Sequence, residues 1–337
     1  MKNPKILYID NGKNTFPDKN IFLDKLNQLG DFNLIEDGSD LSEKKRAEII
    51  REHDIYITGR SYMSVPGSIA ENPGRLKYIC GLTGTQRPFI NLEHIEAGLL
   101  VTNWGDAPAD GIAEGAMALL LAVLKDIRPQ VEKLNEDGWK LDADKYVGGT
   151  LKNMKLGIYG LGVIGAKFVE LAEPFQPELY VFDPYVDQLP QSCQRVDSLE
   201  ELFSKCHGVA IHAGLSEETK KSVTASLLEL LPDQGIIINT ARGDIIDQKA
   251  LFSELKKGRL RAGLDVLADG DWLEPGHPAK KWENVIYTTH KIARNNFIKN
   301  EDKLDRNEEI CLNNIERFIK DKELHYVMDK ERFMRST

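Results

Sequence analysis

The chain has 337 residues, of which 41% are hydrophobic and 29% are charged, and its 44 basic and 53 acidic residues give a formal net charge of −9. This composition is typical of a folded globular protein, and the length is that of roughly two domains. The acidic balance, without a dense run of Lys and Arg, argues against nucleic acid or an anionic membrane surface as the main partner.

The amino-terminal segment and the cysteines predict a cytoplasmic protein. The first apolar run ends at Asp10, too early for the core of a signal peptide, and no apolar stretch approaches the ~18–20 residues of a membrane helix. The four cysteines lie far apart and lack the spacing of a zinc site. We therefore expect reduced, mostly buried thiols, no bound metal and no membrane contact.

The first hundred residues alternate short aliphatic runs with helical patterns, which predicts a small parallel α/β unit. A long apolar helix follows at about 110–127, with Asp110 as its N-cap, and we expect it to be buried between domains or against a second subunit. The polar stretch 135–150 predicts an arm or loop. The predicted strands are 5–9, 54–58, 77–80 and 99–102, and the predicted helices are 18–29 and 42–50.

A second alternating block runs from 154 to about 290 and predicts a doubly wound parallel sheet. Beyond it, 297–319 has the apolar spacing of one helix face. We expect this helix to return to the first block, which makes that domain discontinuous. The predicted strands of the second block are 155–159, 179–182, 209–212, 236–239, 262–266 and 285–288.

A glycine motif lies at the start of the second block. The strand 155–159 runs into Gly-x-Gly-x-x-Gly, a helix pattern follows, and the next strand ends at Asp183. This context predicts a dinucleotide site, with the pyrophosphate at the helix N-terminus. Asp183 would accept the ribose hydroxyls and repel a 2′-phosphate, which favours NAD over NADP; the alternative is a turn residue before Pro184. The predicted contacts of the loop are Gly160, Gly162, Val163, Ile164 and Gly165.

Polar residues also end three later strands, where open α/β sheets bind ligands. The chain also contains Ala113-Glu114 in the apolar helix, the segment from His212, Asn-x-x-Arg-Gly at 239–243, Gly-Leu-Asp-Val at 263–266, Glu274-Pro275, His277-Pro278 and the Thr-x-His that ends at His290. With these motifs and the glycine motif, it resembles the D-isomer-specific 2-hydroxyacid dehydrogenase family over nearly its whole length.

The resemblance implies two Rossmann-like, doubly wound parallel-sheet domains. The smaller, flavodoxin-like one would bind substrate and comprise 1–103 plus 295–337. The NAD-binding one would comprise 104–294, including a dimerisation helix and arm, so a homodimer is expected. The implied activity is NAD-dependent interconversion of a small 2-keto acid, of glyoxylate or hydroxypyruvate type, and its D-2-hydroxy acid. The alternatives are a non-enzymatic NAD(H)-sensing protein of corepressor type and a D-3-phosphoglycerate dehydrogenase.

The implied chemistry rests on Arg242 and His290. A planar, permanently charged guanidinium suits a bidentate grip on the carboxylate and carbonyl oxygens of a 2-keto acid. The imidazole can exchange a proton with the substrate oxygen near pH 7. A carboxylate should orient this imidazole. Because an apparent insertion follows Asp265, two acids are candidates for this role. The Glu-Pro pair favours Glu274, whereas the spacing from Arg242 favours Asp271.

The remaining implied contacts lie in both domains. Asp265 would approach the nicotinamide carboxamide, and Thr240 and Ala241 would contact the cofactor through backbone groups. His212 either contacts the cofactor or only lines its pocket, and Gly214 stands where the family often has proline.

The segment 80–88 resembles the family's substrate loop, so the N–H groups of Thr83 and Gly84 are expected to bind a carboxylate. Arg87 either adds an anion contact or pairs with an acid on the surface. Arg60, followed by serine, resembles the Arg-Ser of phosphoglycerate dehydrogenases and raises the possibility of a phosphorylated substrate.

Overall fold

The computed structural model describes residues 1–13, 16–17, 20–61, 63–137, 146–293 and 303–335. The chain divides into two compact units, Met1–Ala107 with Asn296–Thr337, and Pro108–Asn295. Within the described ranges, no helix is both long enough and apolar enough to cross a membrane. The division of substrate and cofactor roles between the units stays a prediction.

The first unit is built on a five-stranded parallel sheet with the strand order β2-β1-β3-β4-β5. The order reverses between β1 and β3, and in such sheets ligands bind at the carboxyl ends of the strands beside the reversal. The strands are β1 (Lys5–Ile9), β2 (Asp31–Ile35), β3 (Ile55–Thr58), β4 (Tyr78–Gly81) and β5 (Leu100–Thr102), and the helices are α1 (Asn20–Leu29), α2 (Glu43–Arg51), α3 (Ser68–Glu71) and α4 (Leu92–Glu96).

The second unit has seven parallel strands in the order β12-β11-β10-β9-β6-β7-β8. This is the doubly wound arrangement that the sequence predicts, with the reversal between β6 and β9. Its strands are β6 (Lys155–Tyr159), β7 (Glu178–Phe182), β8 (Cys193–Arg195), β9 (Gly208–Ile211), β10 (Ile236–Asn239), β11 (Arg261–Leu264) and β12 (Val285–Tyr287), and its helices are α5 (Ala109–Leu124), α6 (Ile127–Asp137), α7 (Val163–Ala172), α8 (Leu199–Lys205), α9 (Ala225–Leu230), α10 (Gln248–Lys256) and the single kinked turn α11 (Ala268–Asp271).

The chain then returns to the first unit through α12 (Arg306–Ile319) and α13 (Lys330–Arg335). Asp305 and Glu308 form a capping box at the start of α12, which satisfies two backbone N–H groups. The apolar face of α12 packs on β4, where Cys311 Sγ lies 3.5 Å from Cys80 Sγ. Of the predicted helix 297–319, the part up to residue 302 lies outside the described residues.

Three expectations about the fold need correction. The edge strands β2 and β8 were not predicted, because both are short and have exposed polar residues. The apolar helix α5 is buried by packing within its own unit, against α7 and the sheet, a partner that the apolar run alone does not predict. Helix α6 was not predicted as a separate helix, and its last residues, 135–137, are the start of the predicted arm 135–150; residues 138–145 of that arm lie outside the described residues.

Candidate functional site

The glycine loop of the second unit joins β6 to α7, and two of its glycines have no room for a side chain. Gly160 adopts φ +92°, and a Cβ there would lie 2.6 Å from the backbone nitrogen of Ala213. A Cβ on Gly165 would lie 2.2 Å from the carbonyl oxygen of Gly160. A Cβ on Gly162, by contrast, would meet nothing within 4 Å. The loop therefore leaves open space in front of the first N–H groups of α7, which include those of Val163 and Ile164.

Asp183, at the end of β7, holds this loop in place. Its Oδ2 accepts the N–H of Leu161 at 2.7 Å, and its Oδ1 accepts the N–H of Tyr185 at 2.8 Å. The carboxylate is half-buried and keeps lone pairs for further donors. Asp183 therefore shapes the turn at Pro184 and places a carboxylate beside the glycine loop, while its contact with the ribose hydroxyls stays a prediction.

Two buried polar side chains at the same sheet edge have no hydrogen-bond partner among the described residues: His212, after β9, and Thr240, after β10. The ring of His212 packs on Phe168, with their centroids 4.8 Å apart. Burial lowers the pKa of His212 to about 4, so the imidazole is neutral near pH 7 and offers one donor and one acceptor. Buried polar groups are normally paired, so these atoms, at the same sheet edge as the open glycine loop, fit a dinucleotide.

Arg242 follows β10 at a turn that Asn239 shapes. The Asn239 Oδ1 accepts the N–H of Ala241 at 3.0 Å, and its Nδ2 donates to the carbonyl of Arg242 at 2.9 Å. The guanidinium of Arg242 donates to the carbonyl of Ala241 at 2.7 Å and is half-buried. Gly243 is required next, because a Cβ there would lie 1.9 Å from the carbonyl carbon of Leu267.

Asp265 and Thr288 organise the segment that carries His290. The Oγ1 of Thr288 donates to Asp265 Oδ1 at 2.5 Å, and the N–H of Lys291 donates to the same oxygen at 3.2 Å. The N–H of His290 donates to the Asp265 carbonyl at 2.9 Å. Asp265 is 4% exposed, whereas the His290 side chain is exposed. His290 has φ +55°, a left-handed conformation that favours glycine, so these contacts hold a strained backbone.

The two acids predicted to orient His290, Glu274 and Asp271, lie on the loop that follows β11. Glu274 lies on an exposed loop, and its carboxylate makes no hydrogen bond within the part of the chain that is described. Asp271 ends α11, but its side chain lies outside the described residues. Between Asp265 and these two acids, the loop contains two consecutive residues with left-handed backbone, Asp269 at φ +57° and Gly270 at φ +88°. The insertion inferred from the sequence therefore forms a tight turn.

In the first unit, Arg60 is exposed just after β3, and Thr83 and Gly84 lie in the loop after β4. Arg87 is turned towards the carboxyl-terminal helix, where its Nη2 donates to the carbonyl of Met334 at 2.6 Å. The surface contact expected for Arg87 is therefore made to a backbone carbonyl and not to an acid. Its contact with substrate stays a prediction, as does that of Arg60.

Comparison with known proteins identifies the family. Residues 117–291 match the model of the D-isomer specific 2-hydroxyacid dehydrogenase, NAD binding domain. That range covers more than half of the chain and includes every predicted cofactor contact. The protein belongs to this family, and its second unit carries the family's NAD-binding domain.

Individual relatives agree with this assignment. The chain is 33% identical to hydroxypyruvate reductase of Thermotoga maritima, over 74% of this chain and 81% of that protein. It is 31% identical to D-3-phosphoglycerate dehydrogenase of Methanocaldococcus jannaschii, over 80% of this chain but only 51% of that protein, so it spans about half of that relative. Among solved structures, an acyclic imino acid reductase in complex with NADPH and D-Arg has a TM-score of 0.77 and 26% identity, covering 96% of this chain and 99% of that one.

Proposed function

We propose that the protein is an NAD(H)-dependent oxidoreductase that interconverts a small 2-keto acid, of glyoxylate or hydroxypyruvate type, and its D-2-hydroxy acid. One observation carries the proposal: Arg242 and the braced turn at His290 share a sheet edge with the glycine loop. Family membership supports the reaction class, and the similarity to a hydroxypyruvate reductase supports a small substrate.

Arg242 binds the carboxylate and carbonyl oxygens of the keto acid through two parallel N–H donors. His290 carries the proton that passes to the carbonyl oxygen during reduction, and it takes the hydroxyl proton during oxidation. A carboxylate from Glu274 or Asp271 accepts a hydrogen bond from the other ring nitrogen and so orients the imidazole. When bound, the nicotinamide supplies or accepts the hydride at the substrate carbon.

The cofactor is held by the glycine loop, by Asp183 and by the buried polar atoms of His212 and Thr240. The Asp183 carboxylate repels a 2′-phosphate, so we expect NADH to be preferred over NADPH. The Asp265 carboxylate, fixed by Thr288, faces the nicotinamide carboxamide, and the backbone at Ala241 lines the same edge.

The experiment is a panel of glyoxylate, hydroxypyruvate, pyruvate and phosphohydroxypyruvate, followed by the loss of NADH absorbance. We expect turnover of at least one unphosphorylated keto acid, and its loss in His290→Ala with NADH binding retained in a fluorescence titration. His207→Gln is the matched control, because His207 is an exposed histidine before β9, at the opposite end of the strand from the proposed site. Wild-type protein without turnover, or unchanged turnover in His290→Ala, rejects the proposal.

The same panel separates the alternatives. A D-3-phosphoglycerate dehydrogenase would turn over phosphohydroxypyruvate selectively and lose that selectivity in Arg60→Gln, since the exposed Arg60 is the candidate phosphate contact. An NAD(H)-sensing protein of corepressor type would change its association state with NADH and turn over none of the four acids. A non-enzymatic NAD(H)-sensing protein does not need Arg242 and His290, so the presence of both residues favours the enzyme.

We also propose a cytoplasmic homodimer that uses helix α6. Its Ile127, Val131 and Leu134 share one helix face and are 48%, 50% and 37% exposed, which is unusual for three aligned apolar residues. A second copy of the chain would cover them symmetrically. Sedimentation should give a dimer for the wild type and a monomer for Val131→Lys; a wild-type monomer at micromolar concentration rejects this.

A further inference from the structure

Two consecutive carbonyls in the loop after β4 are fixed by hydrogen bonds. The carbonyl of Thr83 accepts the N–H of Trp104 at 3.2 Å and the Nε2 of Gln86 at 3.0 Å. The carbonyl of Gly84 accepts the Nδ2 of Asn103 at 2.8 Å. In a trans peptide the C=O and N–H point in opposite directions. The N–H groups of Gly84 and Thr85 therefore point away from these partners, and neither donates a hydrogen bond to any described residue.

Gln86 is a rigid anchor for this arrangement. It is completely buried, and its Oε1 accepts the hydroxyl of Thr58 at 3.0 Å. The amide lies in the space left by Gly81, where a Cβ would be 2.2 Å from Gln86 Nε2. Because its oxygen is held by Thr58, its nitrogen is directed to the Thr83 carbonyl.

Asn103 is oriented from the carboxyl-terminal end of the chain. Its Oδ1 accepts the N–H of Gly105 at 3.0 Å and the Nη2 of Arg332 at 3.2 Å. These two donors fix the amide so that only its nitrogen can face Gly84. Arg332, in α13, is itself held by a bond from Nη1 to the carbonyl of Val327 at 3.0 Å and lies 6.0 Å from the ring centroid of Tyr326.

We propose that Arg332 is a positioning residue for substrate binding: through Asn103 it holds the Gly84 carbonyl away from the anion, so that the N–H groups of Gly84 and Thr85 face a substrate carboxylate. The inference rests on the proposed function and adds to it a residue more than two hundred positions away in sequence. Trp104 supports the arrangement, because its indole packs so closely on Gly84 that a Cβ would lie 2.4 Å from Nε1. Without Arg332, the Asn103 amide can rotate, and the Gly84 carbonyl can turn its negative end towards the carboxylate.

The kinetic test compares Arg332→Gln with Lys330→Gln. Lys330 lies on the same helix, and among the described residues its ion pair is with Glu96 on the surface, at 2.7 Å, so its variant controls for a loosened α13. In Arg332→Gln we expect KM for the keto acid to rise about tenfold with kcat within about twofold, since the loss is one of carboxylate binding. Arg332→Lys, which keeps a donor, should recover part of this loss. Equal KM values in Arg332→Gln and Lys330→Gln overturn the proposal.

A second variant and a binding measurement keep the test independent of turnover. Asn103→Asp retains the acceptor for Arg332 but removes the donor to Gly84, so KM should rise at least as much. In an amide-resolved NMR titration with oxalate, the signals of Gly84 and Thr85 should shift, and Arg332→Gln should need about tenfold more oxalate. Unshifted signals in the wild type, or equal titrations, refute the inference. Absence of turnover on every keto acid refutes the proposed function instead, and the oxalate titration still decides the role of Arg332.

Discussion

Replacing Thr288 with valine removes the hydroxyl that donates to Asp265 at 2.5 Å while keeping the shape of the side chain. The acceptor is a carboxylate that is 4% exposed, so water cannot replace the lost donor freely. A hydrogen bond to a charged group contributes ~1.5–3 kcal/mol. Each kcal/mol lowers the melting temperature of a unit of this size by ~2–4 °C, so we expect a fall of about 3–12 °C for Thr288→Val.

The same substitution should impair catalysis, because Asp265 also accepts the N–H of Lys291 at 3.2 Å and, through its carbonyl, the N–H of His290 at 2.9 Å. These bonds stabilise the left-handed backbone of His290 at φ +55°, a conformation that costs ~1–3 kcal/mol. When the Asp265 carboxylate is released, the imidazole loses its fixed position, and we expect kcat to fall about tenfold.

The assay is steady-state reduction of the preferred keto acid with NADH, together with thermal unfolding of each variant. Thr288→Ser keeps the donor and should recover most of both losses. Thr289→Val is the matched control, because Thr289 is the exposed neighbour and makes no hydrogen bond through a side-chain atom among the described residues. The reasoning is refuted if Thr288→Val keeps the wild-type kcat and melting temperature, or if Thr289→Val is equally impaired.

Three further predictions concern the second unit. Arg242→Lys keeps the charge but loses the planar fork, so kcat/KM for the keto acid should fall by about 100-fold or more while NADH binding by fluorescence is unchanged. Gly165→Ala, whose Cβ would meet the Gly160 carbonyl at 2.2 Å, should weaken NADH binding at least about tenfold, whereas Gly67→Ala, with open space at its Cβ, should not. Burial lowers the pKa of His212 in the folded state from 6.5 to about 4, so the unfolded state binds more protons between these pH values. The free energy of unfolding in urea should therefore fall by up to about 3 kcal/mol from pH 6.5 to pH 4. In His212→Gln the fall in this free energy over the same pH range should be smaller.

The parts of the site that follow directly from the sequence are those made by neighbours in the chain. The turn at Gly160 and the crowding at Gly165 arise within one strand–loop–helix segment, so the spacing of the glycines is sufficient to predict them. The same is true of Asn239, whose amide bonds residues two and three positions ahead. Asp183 is harder to predict, because it follows β7 whereas Leu161, whose N–H it accepts, follows the adjacent strand β6.

Other parts depend on which elements pack together, and local patterns carry no information about that. Thr288 and Asp265 form a hydrogen bond because β12 lies beside β11, and the sequence of neither segment predicts that these two strands pair. The apolar run of α5 predicts burial correctly but not its partner, which is the unit's own sheet. Arg87 has the right charge and position for an anion contact, yet its Nη2 bonds a carbonyl 247 residues further along the chain.

Asp265 in the second unit and Asn103 in the first unit make similar hydrogen bonds. In each, one side-chain oxygen accepts hydrogen bonds from two donors. One of the two donors is distant in sequence: Thr288 for Asp265, and Arg332 for Asn103. These bonds fix a neighbouring backbone group: the left-handed backbone of His290 beside Asp265, and the carbonyl of Gly84 beside Asn103. A strained His290 and an outward-facing pair of N–H groups both lower the reorganisation needed when the substrate arrives. Thr288 acts through Asp265 and Arg332 acts through Asn103, so substitution of Thr288 should mainly lower turnover and substitution of Arg332 should mainly weaken substrate binding.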